Sequence, residues 1–395
     1  MKKRILAMLL AGTMVFGLAA CGGGDDKKPE ASNPPAAAGV AKEDLKVGFV
    51  HIGDEGDMGY TYNMVLGVKE MQKNLGLSDD QIITKYNVTE DEKCADALNE
   101  LVDAGCQIVF ATSFGFGDYV TAAARENPEV QFCHATGFQA HEAGLDNLHN
   151  CFASIYEGRY LAGIAAGMKA KEMGNPKLGY VGAYPFAEVV SGFTAFYLGA
   201  KSVYPEVTME VMYTNSWSSP TLEAQVAQAL IDDGCGVISQ HSDTTAPATT
   251  AEANGAFQVG YNADMISAAP KASLVSARVD WGVYYTFALN AVINGETIPD
   301  DWCQGYADGA VYLSPLNEDI VAEGTAEAIE AAEKKFVEED FHVFSGPLSG
   351  YAFDANTGEK TEDWSLPEGE FYDESGTASA PSFCYIIDGI TSIIK

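Results

Sequence analysis

Apolar and polar positions alternate along most of this chain in two rhythms. Leu45-Lys-Val-Gly-Phe-Val-His-Ile52 is a short apolar run that enters an Asp/Gly-rich loop, which predicts a buried strand. From Tyr60 to Leu75 the apolar residues Met64, Val65, Val68, Met71 and Leu75 recur at helical spacing. The same reading predicts a strand over 81–88, a helix over 91–103, a strand over 107–112, a helix over 118–126 and strands over 130–135 and 148–153. The pattern restarts with a helix over 157–172 and a strand over 178–183. Helix 187–203, strand 207–213, helix 221–232, strand 236–240, helix 246–254 and strand 257–261 complete the second set. A strand over 272–279 and a helix over 281–294 follow. The tail is less regular, with an amphipathic helix expected over 323–338 and a short helix over 384–394. Alternating strand and helix units predict a mostly parallel sheet with helices on both faces, and two sets predict two such sheets.

The first 43 residues break this pattern. Lys2, Lys3 and Arg4 precede an apolar stretch, Ile5 to Leu18, which is shorter than the roughly 20 residues a membrane span needs. Leu18-Ala19-Ala20-Cys21 resembles the bacterial lipobox, in which the cysteine is acylated and the peptide is cut just before it. Residues 1–20 are therefore expected to be a signal peptide and Cys21 a lipid attachment site. Residues 21–43 hold Gly-Gly-Gly, Asp-Asp-Lys-Lys and Asn33-Pro34-Pro35, with almost nothing to bury, and read as a flexible tether. Fully extended, such a tether reaches roughly 70 Å at about 3.3 Å per residue.

A body of this length is too large for one ordinary core, so two lobes are expected. Residues 44–155 with 277–304 are expected to form one lobe, and 156–276 with 305–395 the other. The full chain carries 23 Lys and Arg against 56 Asp and Glu, a formal charge of −33. Such a chain repels phosphate backbones, which excludes general nucleic-acid binding, and it approaches an anionic membrane only if something covalent holds it there. After loss of residues 1–20, seven of the eight cysteines remain besides the anchor, an odd number without CxxC or Cys/His metal spacing, so buried free thiols are expected.

Ligands of parallel α/β sheets bind beyond the carboxyl ends of the strands. Those ends here carry Asp54, Glu55, Asp57 and Tyr60, then Phe114 and Asp118, then Phe138. The second set carries Tyr184 and Phe186, Asn215 and Trp217, His241 and Asp243, and Asn262 and Asp264. Large aromatics recurring on loops of both lobes suggest a flat ligand clamped between them. Gly115-Phe-Gly117 lacks the third glycine of a dinucleotide fingerprint, and there is no GxxxxGK[ST], HExxH or GxSxG. No cofactor and no metal are expected.

Several strings in order resemble the basic membrane protein (BMP) family of substrate-binding lipoproteins of ABC transporters. They are Thr112-Ser-Phe-Gly115 with Asp118, His134-Ala-Thr-Gly137-Phe138, Tyr156-Glu-Gly-Arg-Tyr-Leu-Ala-Gly163, Gln240-His-Ser-Asp-Thr-Thr-Ala-Pro247, Gly260-Tyr-Asn-Ala-Asp-Met265 and Trp281-Gly-Val-Tyr-Tyr285. The resemblance runs from about residue 45 to the C-terminus. It implies a type I periplasmic-binding-protein fold, two Rossmann-like lobes joined by three crossovers, closing over a ligand that stabilises the closed form. It also implies a monomer outside the cytoplasmic membrane that hands a purine base or nucleoside to a permease, with riboflavin bound in one branch.

The matching residues imply a base stacked between Tyr60 and Trp217, its edge read by Asp118, and sugar hydroxyls held by Asn262 and Asp264. Phe114, Phe138, Phe186 and His241 complete the expected site. Two departures weaken the sugar contacts. The family lysine that reaches the sugar falls on Val279 here, with Arg278 one residue away on the opposite strand face, and the usual aspartate is Asn262. Both favour a free base such as adenine. The rival readings are an extracellular nucleoside hydrolase using Asp54, Glu55 or Asp57, and a sensor or adhesive lipoprotein without a transporter.

Overall fold

The computed structural model describes residues 39–376 and 378–394; the signal segment, Cys21 and most of the tether lie outside them. The chain runs β1 (Val47–Val50), α1 (Tyr60–Leu75), β2 (Ile82–Lys85), α2 (Glu92–Asp103), β3 (Ile108–Ala111), α3 (Gly117–Glu126), β4 (Gln131–Ala135), the single turn α4 (Ala140–Ala143) and β5 (Leu148–Ala153). It continues with α5 (Ile155–Met173), β6 (Lys177–Gly182), α6 (Ala187–Val203), β7 (Thr208–Tyr213), α7 (Pro220–Asp232), β8 (Val237–His241), α8 (Ala246–Asn254), β9 (Phe257–Tyr261) and β10 (Ser273–Val279). Then come α9 (Trp281–Asn294), β11 (Asp301–Gln304), β12 (Val311–Leu313), α10 (Thr325–Glu338), β13 (Leu348–Phe353), β14 (Lys360–Leu366), β15 (Tyr385–Ile387) and β16 (Ile390–Ile393).

The strands form two sheets of the expected kind. The first is ordered β11-β5-β4-β3-β1-β2, all parallel. The second is ordered β12-β10-β9-β8-β6-β7-β16, parallel except where β12 runs against β10. Central strands such as β1 and β8 are buried along their whole length, which is why they read as unbroken apolar runs or, in β8, as small and hydrogen-bonded residues. The chain passes between the sheets three times: after β5 at Ser154, after β10 at Asp280, and between β11 and β12. Because Ala277–Val279 still pair within the second sheet, the second passage lies at Asp280, three residues beyond the boundary expected from sequence.

Helices α5 and α6 pack tightly because glycines face backbone across the contact. A Cβ at Gly163 would lie 2.0 Å from the Phe196 carbonyl oxygen, and one at Gly199 would lie 1.9 Å from that of Tyr160. Phe193 and Phe196 of α6 join Leu178, Tyr180 and Val211 of the second sheet in the hydrophobic core.

The tail corrects one expectation. Residues 384–394 form β15 and β16, not a helix. Ile386, Ile387, Ile390, Thr391 and Ile393 are β-branched, and Gly389, at φ 95°, turns the chain between the strands. β16 pairs with β7 and covers what would otherwise be the open edge of the second sheet, while β15 joins a separate antiparallel sheet ordered β14-β13-β15.

Candidate functional site

Each sheet reverses its strand order once, between β1 and β3 in the first and between β6 and β8 in the second. Connections diverge at these points and leave a crevice at the carboxyl ends of the strands. The two crevices face each other. A cavity of about 360 Å³, counting the solvent at its mouth, lies there, lined by Ile52, Tyr60, Ser113, Phe114 and Thr136 from one lobe and Glu188, Trp217, His241, Asp243 and Tyr261 from the other. It adjoins a solvent-open groove of about 1040 Å³ that shares Ile52, Trp217 and Asp243.

The lobes are in contact over this cavity. A Cβ at Gly59 would stand 1.7 Å from the Asp243 carbonyl oxygen, so the loop before α1 rests on the loop after β8 with no room for a side chain.

Tyr60 opens α1, and its neighbour Asp57 fixes that start. The Asp57 carboxylate accepts from the backbone N–H groups of Gly59 (2.9 Å), Thr61 (2.8 Å) and Tyr62 (3.0 Å). The Tyr60 hydroxyl donates to the Thr112 carbonyl at 2.7 Å, which turns its ring into the cavity wall. Trp217 is packed edge-on to Tyr184, with ring centroids 5.1 Å apart, and Tyr184 stacks on Phe186 at 5.1 Å. Phe114 lies 6.0 Å from Phe186 and 6.1 Å from Phe138, so three partly exposed rings from both lobes form a rim beside the cavity. His241 is buried, with Nε2 3.1 Å from a Glu188 carboxylate oxygen, and burial holds its ring below the usual imidazole range.

Of the residues expected from sequence, Tyr60, Phe114, Trp217 and His241 line the cavity, and Phe138 and Phe186 stand on its rim. Asp118 is elsewhere: it is exposed in the first turn of α3 and lines neither space. Asn262 is fully buried in left-handed backbone (φ 65°), with both side-chain amide atoms lacking a partner. The Asp264 carboxylate accepts from the Ile266 N–H at 3.0 Å within its own loop. Arg278 donates to the Asn262 carbonyl (2.8 Å) and the Asn63 side chain (3.0 Å), bridging β10 to α1.

Four residues of the cavity and its backing were left out of the site expected from sequence. Asp243 and Glu188 are carboxyl groups in the cavity wall. Tyr261 is an aromatic wall from β9, and Arg159 lies behind it with its guanidinium 3.5 Å from the Tyr261 ring centroid and one nitrogen donating to the Gln240 carbonyl at 2.7 Å. Asp243 follows a strand and was visible as such, whereas Arg159 sits inside an apolar helix and gives no signal of what it faces.

The carboxylates needed for a hydrolase are occupied. Glu55 pairs with Lys69 at 2.7 Å, Asp54 accepts from Gly56 and Asn87, and Asp57 caps α1. The seven cysteines besides Cys21 are free thiols, five of them buried.

The fold and the cleft define a two-lobed periplasmic-type binding protein. The family model described as "ABC transporter substrate-binding protein PnrA-like" matches residues 45–342. A purine-binding protein of Brucella abortus is 35% identical over 339 residues, covering 85% of this chain and 93% of its own. A Haloferax volcanii protein whose name assigns it to glucose binding in an ABC transporter is 31% identical over 305 residues, 77% of this chain and 75% of that one. Among solved structures, an ABC transporter solute-binding protein from Conexibacter woesei superposes with a TM-score of 0.62 at 17% identity, over 75% of this chain and 98% of that one, a likeness of fold. The chain belongs to the PnrA-like (Bmp) family of ABC transporter substrate-binding proteins. Its class is that of binding proteins, not enzymes, which take up a small molecule outside the cytoplasm and present it to a permease.

Proposed function

We propose that this protein captures a purine, with a free base of the adenine type preferred to a nucleoside, and delivers it to its permease while held to the membrane by a lipid on Cys21. The observation that carries the reading is the cavity itself: Tyr60 and Phe114 from one lobe and Trp217 and Tyr261 from the other bound a single space between switch points. The purine-binding name of the Brucella relative supports the same class. Stacking on each ring contributes about 0.5–1.5 kcal/mol beyond area burial. Asn262 and Val279 replace the groups that would hold a sugar, which favours the base.

Thermal shift with adenine, hypoxanthine, adenosine and guanosine tests the reading. A rise in melting temperature is expected with bases first, and Trp217→Ala is expected to weaken binding about tenfold or more. A shift with glucose or riboflavin and none with any purine would move the ligand class. Cys21→Ser is expected to abolish incorporation of labelled palmitate and release the protein from membranes; unchanged membrane association would refute the anchor.

A further inference from the structure

We propose that the carboxyl group of Asp243 reads the edge of the ligand in this cleft and takes a flat heterocycle that presents a hydrogen-bond donor beside an acceptor. This rests on the purine reading above and narrows it.

Asp243 is only 5% exposed, and that surface faces the ligand space, since the residue lines both the cavity and the adjoining groove. Its backbone N–H donates to the Trp217 carbonyl at 3.0 Å, which sets the carboxyl beside the indole wall. Among the described residues no donor reaches its carboxyl oxygens.

The other carboxyl groups around it are engaged. Glu223, on α7, accepts from Ser219 N–H (3.0 Å), the Ser242 hydroxyl (2.9 Å), and the N–H (3.2 Å) and hydroxyl (2.7 Å) of Thr244. Glu90 accepts from the Ser113 hydroxyl (2.7 Å) and Gly115 N–H (2.8 Å). Glu188 faces His241, and Asp57 caps α1. No lysine or arginine lines either space, and Arg159 stands behind the Tyr261 ring. Glu188 and Glu90 each hold their donors on one oxygen, Oε1, whereas Asp243 is the carboxyl in this wall that holds none on either.

Burial, and then the negative charges of Asp57, Glu223, Glu188 and Glu90, push the Asp243 carboxyl well above the usual carboxylate range. A neutral carboxyl offers one O–H donor and one carbonyl acceptor side by side. That pattern complements an amino group next to a ring nitrogen, as on adenine, and leaves no unpaired charge in the closed cleft. An ionised carboxylate offers only acceptors and would instead select an edge with two donors. A side-chain amide has the same donor-plus-acceptor pattern as the neutral acid, which is why Asn and Gln pair bidentately with adenine in DNA.

The test is calorimetric titration of adenine and of unsubstituted purine, which lacks the amino donor, into wild type, Asp243→Asn and Asp243→Ala, with circular dichroism melts to establish folding. The expected result is adenine binding within about threefold of wild type for D243N and at least about tenfold weaker for D243A, with the preference for adenine over purine lost in D243A. Wild-type affinity is expected to fall toward alkaline pH as the carboxyl ionises, and that of D243N to stay level. Undiminished adenine binding in D243A would overturn the assignment. So would D243N losing as much as D243A, because the carboxylate would then be the binding form. A wild type that binds no purine base at all would overturn the purine reading, and this assignment with it.

Discussion

At the residue scale the cleft is built by constraints that differ in how visible they are. Tyr60, Phe114, Trp217 and His241 were legible because a strand's carboxyl end is a topological address, and a large aromatic there has little reason to exist except a ligand or its own lobe. Asp118 carries the same kind of address, yet helical phase in α3 turns it to solvent. Gly59 gave no signal, since the closest approach at its Cβ position comes from the other lobe. With a Cβ 1.7 Å from the Asp243 carbonyl oxygen, Gly59→Ala is expected to hold the lobes apart. Affinity should drop about tenfold, the order expected from forcing a well-packed contact by 1–3 kcal/mol. Ligand-free stability should change little, because the contact belongs to the closed form. Small-angle scattering with saturating ligand checks it: the variant is expected to stay at its open dimensions, and full compaction would show that Gly59 does not limit closure.

Elements were read well where periodicity ran long, and poorly where short apolar runs left helix and strand equivalent. Helix α1 carries five apolar residues at one helical spacing over 16 residues. The run Tyr385–Ile394 has too few, and its fate was set by the open edge of β7, which pairs with β16 at Ile390–Met209 through Ile393–Met212. The α5–α6 contact makes a related point. The Gly-containing string at Tyr156–Gly163 looked like a family mark, while its physical role is the close approach of backbone at Gly163 to Phe196. Gly163→Ala is expected to destabilise the fold by about 1–3 kcal/mol through overpacking. Urea denaturation measures it, and an unchanged midpoint would mean that the helices slide apart at no cost.

For the whole molecule, the passages between lobes carry a titrating group. Glu157 begins α5 beside the β11–β12 passage, where burial pushes its carboxyl up to about 7, opposed by the Tyr306 N–H it accepts and reinforced by Asp308. The folded state therefore keeps a proton that the unfolded chain releases near pH 4.3. The stability this gives is complete below about pH 4.3 and is lost as pH rises through about 7. Glu157→Gln removes that slope. Between about pH 5 and pH 8 the wild type is expected to lose on the order of 1–3 kcal/mol relative to the variant, measured by urea melts across the range. Parallel curves would refute a proton held at Glu157. The acidity of the chain as a whole acts differently: a neutral ligand leaves affinity nearly independent of salt, since no ligand charge is there to be screened.

The alternation of apolar runs was enough to expect two parallel α/β sheets, their central strands and the loops that meet at the cleft, but not the edge strands β11, β12 and β16. Each of these follows from local periodicity and from the handed, short connections of such sheets. Only the tertiary structure decided which loop carboxyls remain free. Asp57 is held by N–H groups of its own turn, while Asp54, Glu90 and Glu223 also accept from Asn87, Ser113 and Thr244, and Asp243 has no such donor. A residue's chemistry is written in the sequence, but whether that chemistry is already satisfied depends on which donors, near or distant in the chain, the fold brings to it.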